Sequence, residues 1–196
     1  MTDEKHVKKQ QKLKEKVDAS VAQATEERGI VIVITGNGKG KSTSGFGTVA
    51  RCVGHGKKAG VAQFIKGLWE CGERNLLEKA GVEFAVMKTG FTWDTQDREG
   101  DIKAATAVWD RAKQMLQDPT LHVVLLDELT YMLGYDYLPK DEVLDAIRNR
   151  PYEQSVVITG RGAITELREL ADTVSEVKDI KHAFRAGVKA RLGVDW

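Results

Sequence analysis

Ile30 to Thr35 reads Ile-Val-Ile-Val-Ile-Thr and runs without a break into Gly36-Asn37-Gly38-Lys39-Gly40-Lys41-Ser42-Thr43. A continuous β-branched run suits a central strand buried on both faces, and such strands belong to parallel sheets covered by helices on each side. Beyond the glycines, Phe46, Val49, Ala50 and Val53 recur at helical spacing until Gly54 and Gly56 break the run. Strand, glycine-rich turn and helix in that order fix the class as α/β. Further apolar runs at Val61–Ile65, Val82–Met87, Val123–Leu126 and Val156–Thr159 predict at least five strands, each separated by enough chain for a crossover. Ile102, Ala105, Val108, Ala112 and Met115 predict a long amphipathic helix closed by Pro119, and a shorter one lies between Leu138-Pro139 and Pro151.

The turn after the first strand is a phosphate-binding loop. Its glycines let successive backbone N–H groups converge on phosphate oxygens, and the helix start behind them adds partial positive charge. Lys41 supplies a point charge, and the Ser42 hydroxyl is placed to bind a Mg²⁺ that bridges phosphates, so the implied ligand is a nucleoside triphosphate with its metal. The expected nucleotide contacts are Gly36, Asn37, Gly38, Lys39, Gly40, Lys41, Ser42 and Thr43. In a Gly-x-x-x-x-Gly-Lys-Ser pattern the first glycine falls at position 35, which here is Thr35, so the loop is a variant. Val123-Val124-Leu125-Leu126 ends in Asp127-Glu128, two acids at the carboxyl end of a strand, where open α/β sheets bind ligands. Ser42, Asp127 and Glu128 are the expected metal-binding residues, with the choice between the two acids left open, because neighbouring side chains at a strand end face opposite ways. Arg161, after the strand ending at Thr159, is a candidate for holding phosphate or ribose oxygens. Together these features predict a P-loop NTPase-like, RecA-like three-layer sandwich with a mostly parallel central sheet and helices on both faces.

Thirty Lys and Arg balance twenty-nine Asp and Glu in the 196 residues, so no uniform field draws the chain to a nucleic acid. The N-terminus has no apolar signal region and no stretch is long and apolar enough to span a membrane, so a cytoplasmic protein is expected. Cys52 and Cys71 belong to no metal-binding cluster, and His6, His55, His122 and His182 show no ligand spacing. Residues 1–28 carry seven basic and six acidic side chains and no glycine; Leu13, Val17, Val21 and Ala24 form a narrow stripe. They are expected to form an N-terminal helical arm or lid, followed by a P-loop nucleotide-binding domain over 29–196.

Several stretches together resemble the bacterial ATP:corrinoid adenosyltransferases, the cob(I)yrinic acid a,c-diamide adenosyltransferase family. They are Gly36 to Thr43, Gln63-Phe64-Ile65-Lys66-Gly67, Gly72-Glu73-Arg74-Asn75, Gly90-Phe91-Thr92-Trp93, Leu126-Asp127-Glu128-Leu129-Thr130-Tyr131 and Thr159-Gly160-Arg161-Gly162. The resemblance implies transfer of the 5′-deoxyadenosyl group of ATP to the Co(I) of a reduced corrinoid such as cobalamin or cobinamide, with release of triphosphate. It implies Mg²⁺ or Mn²⁺ as cofactor, a reduced flavodoxin-type electron donor and a homodimer. It also gives Lys41, Phe91 and Trp93 catalytic roles, the two aromatics pressing on the lower corrin face. The alternative on the loop and acids alone is a RecA-like ATPase that hydrolyses ATP to ADP and phosphate.

Overall fold

A computed structural model describes residues 3–65, 70–88 and 97–195. Six strands form one sheet: β1 (Val31–Thr35), β2 (Lys58–Gln63), β3 (Glu83–Val86), β4 (Leu121–Asp127), β5 (Ser155–Thr159) and β6 (Thr173–Glu176). Their order is β3-β2-β4-β5-β1-β6, and every pairing is parallel. Parallel neighbours need crossovers, and helices supply them: α2 (Lys41–Gly54), α3 (Gly72–Lys79), α4 (Arg98–Gln117), α5 (Leu129–Gly134), α6 (Lys140–Arg148) and α7 (Thr165–Leu170). An N-terminal helix, α1 (Asp3–Gln23), precedes them.

Alternation along β4 shows how the three layers arise. Val123 and Leu125 face one side, packing with Ile34, Val61 and Val157 under Phe46, Val49 and Cys52 of α2. Val124 and Leu126 face the other, with Val33, Val156 and Ile158 against Ala105, Val108, Trp109 and Met115 of α4 and Val143 and Ile147 of α6. Both faces are dry, which is why these strands read as unbroken apolar runs. Polar ties set the helix ends. Gln154, buried, donates through Nε2 to the carbonyls of Met115 and Asp118, both at 3.0 Å, closing α4 just before Pro119. Trp109 Nε1 donates to Glu142 Oε1 at 3.0 Å and so joins α4 to α6.

Two expectations shift. The second strand is Lys58–Gln63, not Val61–Ile65, because pairing with β4 begins at Lys58 and passes through Gly60, a residue without a side chain to mark a strand. Phe64 still donates its N–H to the Asp127 carbonyl at 3.0 Å, one residue past the strand end. The sixth strand, Thr-Val-Ser-Glu, is an exposed edge strand beside β1 with no apolar run to signal it. Among the described residues, no helix is long and apolar enough to cross a membrane.

Candidate active site

The carboxyl ends of the strands converge on a cavity of about 810 Å³, in the upper part of the range of roughly 300–1,000 Å³ for ligand pockets. One wall is the glycine-rich loop from Asn37 to Thr43. Gly40 takes φ 110° where the loop turns into α2, a conformation closed to most side chains. Gly36 has φ 100°, and a Cβ there would lie 2.5 Å from the Val177 carbonyl oxygen. Lys41 is buried at the start of α2, and its Nζ donates to the Gly38 carbonyl at 2.8 Å. Thr35, where the commoner pattern has glycine, is fully buried, and its Oγ1 accepts the Ala163 N–H at 3.2 Å. The departure thus joins the loop to the segment carrying Arg161.

Asp127 and Glu128 form the facing wall, and their environments differ. Asp127 is fully buried: Oδ1 accepts the Thr159 hydroxyl at 2.6 Å and Oδ2 accepts Gln63 Nε2 at 3.1 Å. Thr159 Oγ1 in turn accepts the Glu128 N–H at 3.0 Å. Gln63, Asp127 and Thr159 end three adjacent strands, so a hydrogen-bonded row crosses the sheet beneath the cavity. Glu128 has φ 62°, a left-handed conformation uncommon outside glycine, where the chain turns from β4 into α5. Thr130 Oγ1 donates to the Arg161 carbonyl at 2.7 Å, which fixes the base of the Arg161 side chain that lines the cavity.

All the sequence-predicted loop residues from Asn37 to Thr43 line this cavity together with Asp127, Glu128 and Arg161; Gly36 shapes the loop behind it. Phe91 and Trp93 lie outside the described residues. Sequence reasoning missed four kinds of lining residue. Gln63 ends β2 with a polar side chain, a signal that a polar group is wanted there. Phe46, Tyr131 and Tyr135 give the cavity an aromatic side. His182 and Asp195 arrive from the chain after β6, too far along for any local pattern to reveal. Cys71 also lines it, half-buried, and burial pushes its thiol pKa up, the opposite of an activated nucleophile.

Ser42 Oγ, the two carboxylates and any bound phosphates amount to a hard, all-oxygen donor set, which fits Mg²⁺ or Mn²⁺. Among the described residues there is no cluster of three or more His, Cys, Asp or Glu able to hold a metal by itself. A nucleotide's own oxygens would have to complete the shell.

A buried strand, a glycine loop on a helix start and an acid-ended strand two places across the sheet define an α/β protein of the P-loop type. Residues 27–196 match the family described as ATP:corrinoid adenosyltransferase BtuR/CobO/CobP. The chain belongs to this family and is an enzyme of that class. It is 64% identical over 196 residues to the corrinoid adenosyltransferase of Escherichia coli K12, covering all of both chains. Identity is 63% to that of Salmonella typhimurium LT2, again over the whole of both. With the Pseudomonas aeruginosa relative it is 50%, over 99% of this chain and 97% of the other.

Proposed function

We propose that the chain transfers the 5′-deoxyadenosyl group of ATP to the Co(I) of a reduced corrinoid and releases triphosphate. The electron pair of Co(I) attacks the ribose 5′ carbon, the C5′–O bond breaks, and its electrons leave with the triphosphate while cobalt becomes Co(III). The observation that carries this reading is the placement of Lys41, Arg161 and the loop amides around one cavity that also has an aromatic side, in a chain of this family. Negative charge grows on the departing triphosphate, and cationic and N–H donors held beside it stabilise the transition state more than the ground state. Lys41 and the loop N–H groups serve a leaving group, so no protein nucleophile is needed. Ser42 and Glu128 are the residues that would hold Mg²⁺, with Asp127 behind them; when bound, the ion supplies Lewis-acid stabilisation of phosphate charge.

The same reading gives Phe91 and Trp93 the lower corrin face, where apolar rings exclude water and an axial base and make the cobalt easier to reduce. Residues 1–28 act as an arm that covers the site: Leu13, Val17 and Val21 are 55%, 50% and 66% exposed along α1, a stripe left open for a docking partner. A homodimer, a reduced flavodoxin-type donor and a cytoplasmic location complete the proposal. Phosphorus NMR after anaerobic incubation with Mg-ATP and chemically reduced cobalamin tests it. Triphosphate formed only with the corrinoid is expected; ADP and phosphate formed without it would replace this reading with an ATPase.

A further inference from the structure

We propose that Asp195 is an internal counter-anion of the phosphate-binding loop, which an incoming triphosphate must displace from Lys39, so that the C-terminal segment regulates nucleotide entry. This rests on the cavity being a nucleotide site.

The chain does not leave the site after β6. Val177 accepts the Gly38 N–H at 2.7 Å, tying the segment's start to the loop. The chain then passes through a 3₁₀ turn (Ala183–Ala186) and returns, so that His182, Ala190 and Asp195 line the cavity. Asp195 is presented by a closed turn: its Oδ2 accepts the Arg191 N–H at 2.8 Å, and its own N–H donates to the Arg191 carbonyl at 2.8 Å. Its Oδ1 lies 2.6 Å from Lys39 Nζ. A carboxylate therefore stands against a lysine of the loop, where phosphate oxygens of a bound nucleotide are expected.

Among the described residues, little else holds this end of the chain. Ile180, Phe184, Leu192 and Val194 are 87%, 76%, 72% and 68% exposed, so the segment gains almost no apolar burial. Arg185 pairs with Asp179 inside the segment, which does not anchor it to the domain. Among the described residues, the Lys39–Asp195 pair is the tie at the segment's far end. It is partly exposed, and solvent-screened pairs of this kind are weak enough for a competing anion to break. Two anions competing for one ammonium group oppose each other, so a triphosphate carrying several negative oxygens displaces a single carboxylate and frees the turn.

Calorimetric titration of the full chain with Mg-ATP, and separately with magnesium and inorganic triphosphate, tests the proposal in the unaltered protein and in Asp195→Asn. Asp195→Asn is expected to bind both ligands about two- to fivefold more tightly, the affinity equivalent of losing one such pair. Limited trypsin digestion gives a second readout. Cleavage after Lys189 and Arg191 is expected to quicken severalfold when either ligand binds the unaltered chain, and to be fast with or without ligand in Asp195→Asn. Unchanged or weaker binding in the variant, or protection of the segment by triphosphate, overturns the proposal. If the unaltered chain binds neither ligand, the nucleotide reading itself fails; binding with no effect of Asp195→Asn removes only this inference.

Discussion

Thr159 and Asp127, the last residues of the adjacent strands β5 and β4, share a 2.6 Å O–H···O hydrogen bond in the dry interior beneath the cavity. The same hydroxyl accepts the Glu128 N–H at 3.0 Å, so one threonine satisfies a buried carboxylate and holds the turn that aims its neighbour. Thr159→Val keeps the shape and removes both bonds, leaving a buried acceptor and a buried donor unmatched. A loss of about 2–4 kcal/mol in urea-induced unfolding is expected, because each unmatched buried group costs on the order of 1–3 kcal/mol. Thr159→Ser, which keeps the hydroxyl, should recover most of it. A valine variant within 0.5 kcal/mol of the unaltered chain, roughly the size of a neutral surface change, would refute this role.

Two glycines in α2 should respond to alanine in opposite directions. Gly47 is exposed and a Cβ there meets nothing within 4 Å, so Gly47→Ala should stabilise the protein by about 0.5–1 kcal/mol through helix propensity. At Gly45 the Cβ would lie 2.7 Å from Leu125 Cδ1 and 3.1 Å from Thr159 Cγ2, both in fully buried residues. Overpacking of that kind costs about 1–3 kcal/mol, which outweighs the gain in propensity. Thermal unfolding of the two variants should show a higher Tm for Gly47→Ala and a lower one for Gly45→Ala. Equal shifts would mean that α2 can move off the sheet at no cost.

Gly45 also marks what a sequence can and cannot convey. From position alone it is a weak residue in the first turns of a helix; only the sheet beneath it shows why no larger residue fits. Local patterns carried the architecture well, because the strands at Val31–Thr35 and Val123–Leu126 pack apolar side chains on both faces and advertise it. The loop and the acid pair were equally legible, since their chemistry is contiguous in sequence. Which acid faces inward was not, because that depends on Gln63 and Thr159, 64 and 32 residues away from Asp127. The sixth strand and Asp195 escaped for a related reason: an exposed edge strand has no hydrophobic signature, and the Lys39–Asp195 contact spans most of the chain.

Asp172 fastens the entry to β1 and should make stability depend on acid. Its carboxylate accepts Arg28 Nη2 at 2.6 Å and the Val31 N–H at 2.8 Å. The Arg28 hydrogen bond, helped by the Val31 amide, holds its carboxyl below the ordinary carboxylate range. A depressed folded-state pKa stabilises the native protein at pH values above the unfolded-state pKa, about 3.9 for Asp, and the gain disappears as pH falls through the folded-state value. Asp172→Asn should therefore be less stable than the unaltered chain at pH 7, with the gap narrowing as both are acidified toward pH 2. Urea unfolding across that range measures it, and a gap independent of pH would show that the charge of Asp172 contributes nothing.

Glu128 sits in a backbone conformation that its residue type does not favour, next to an aspartate locked inside the sheet. With φ at 62°, it carries strain of the kind worth about 1–3 kcal/mol, sustained by the Thr159 bond to its amide. Glycine removes the strain and keeps that amide, while adding backbone freedom to the unfolded chain that offsets part of the gain. Glu128→Gly should thus unfold within about 1 kcal/mol of the unaltered protein. If its carboxylate serves the nucleotide and metal, the variant should also lose corrinoid-dependent triphosphate release by about a hundredfold or more, as when a single transition-state contact is removed. Asp127→Ala should do the reverse in stability, falling by several kcal/mol, because it strands the Gln63 and Thr159 donors together. Paired unfolding and product assays on the two variants separate the roles. A Glu128→Gly protein that is severely destabilised, or that keeps full activity, would mean that the strain at this turn has no functional origin.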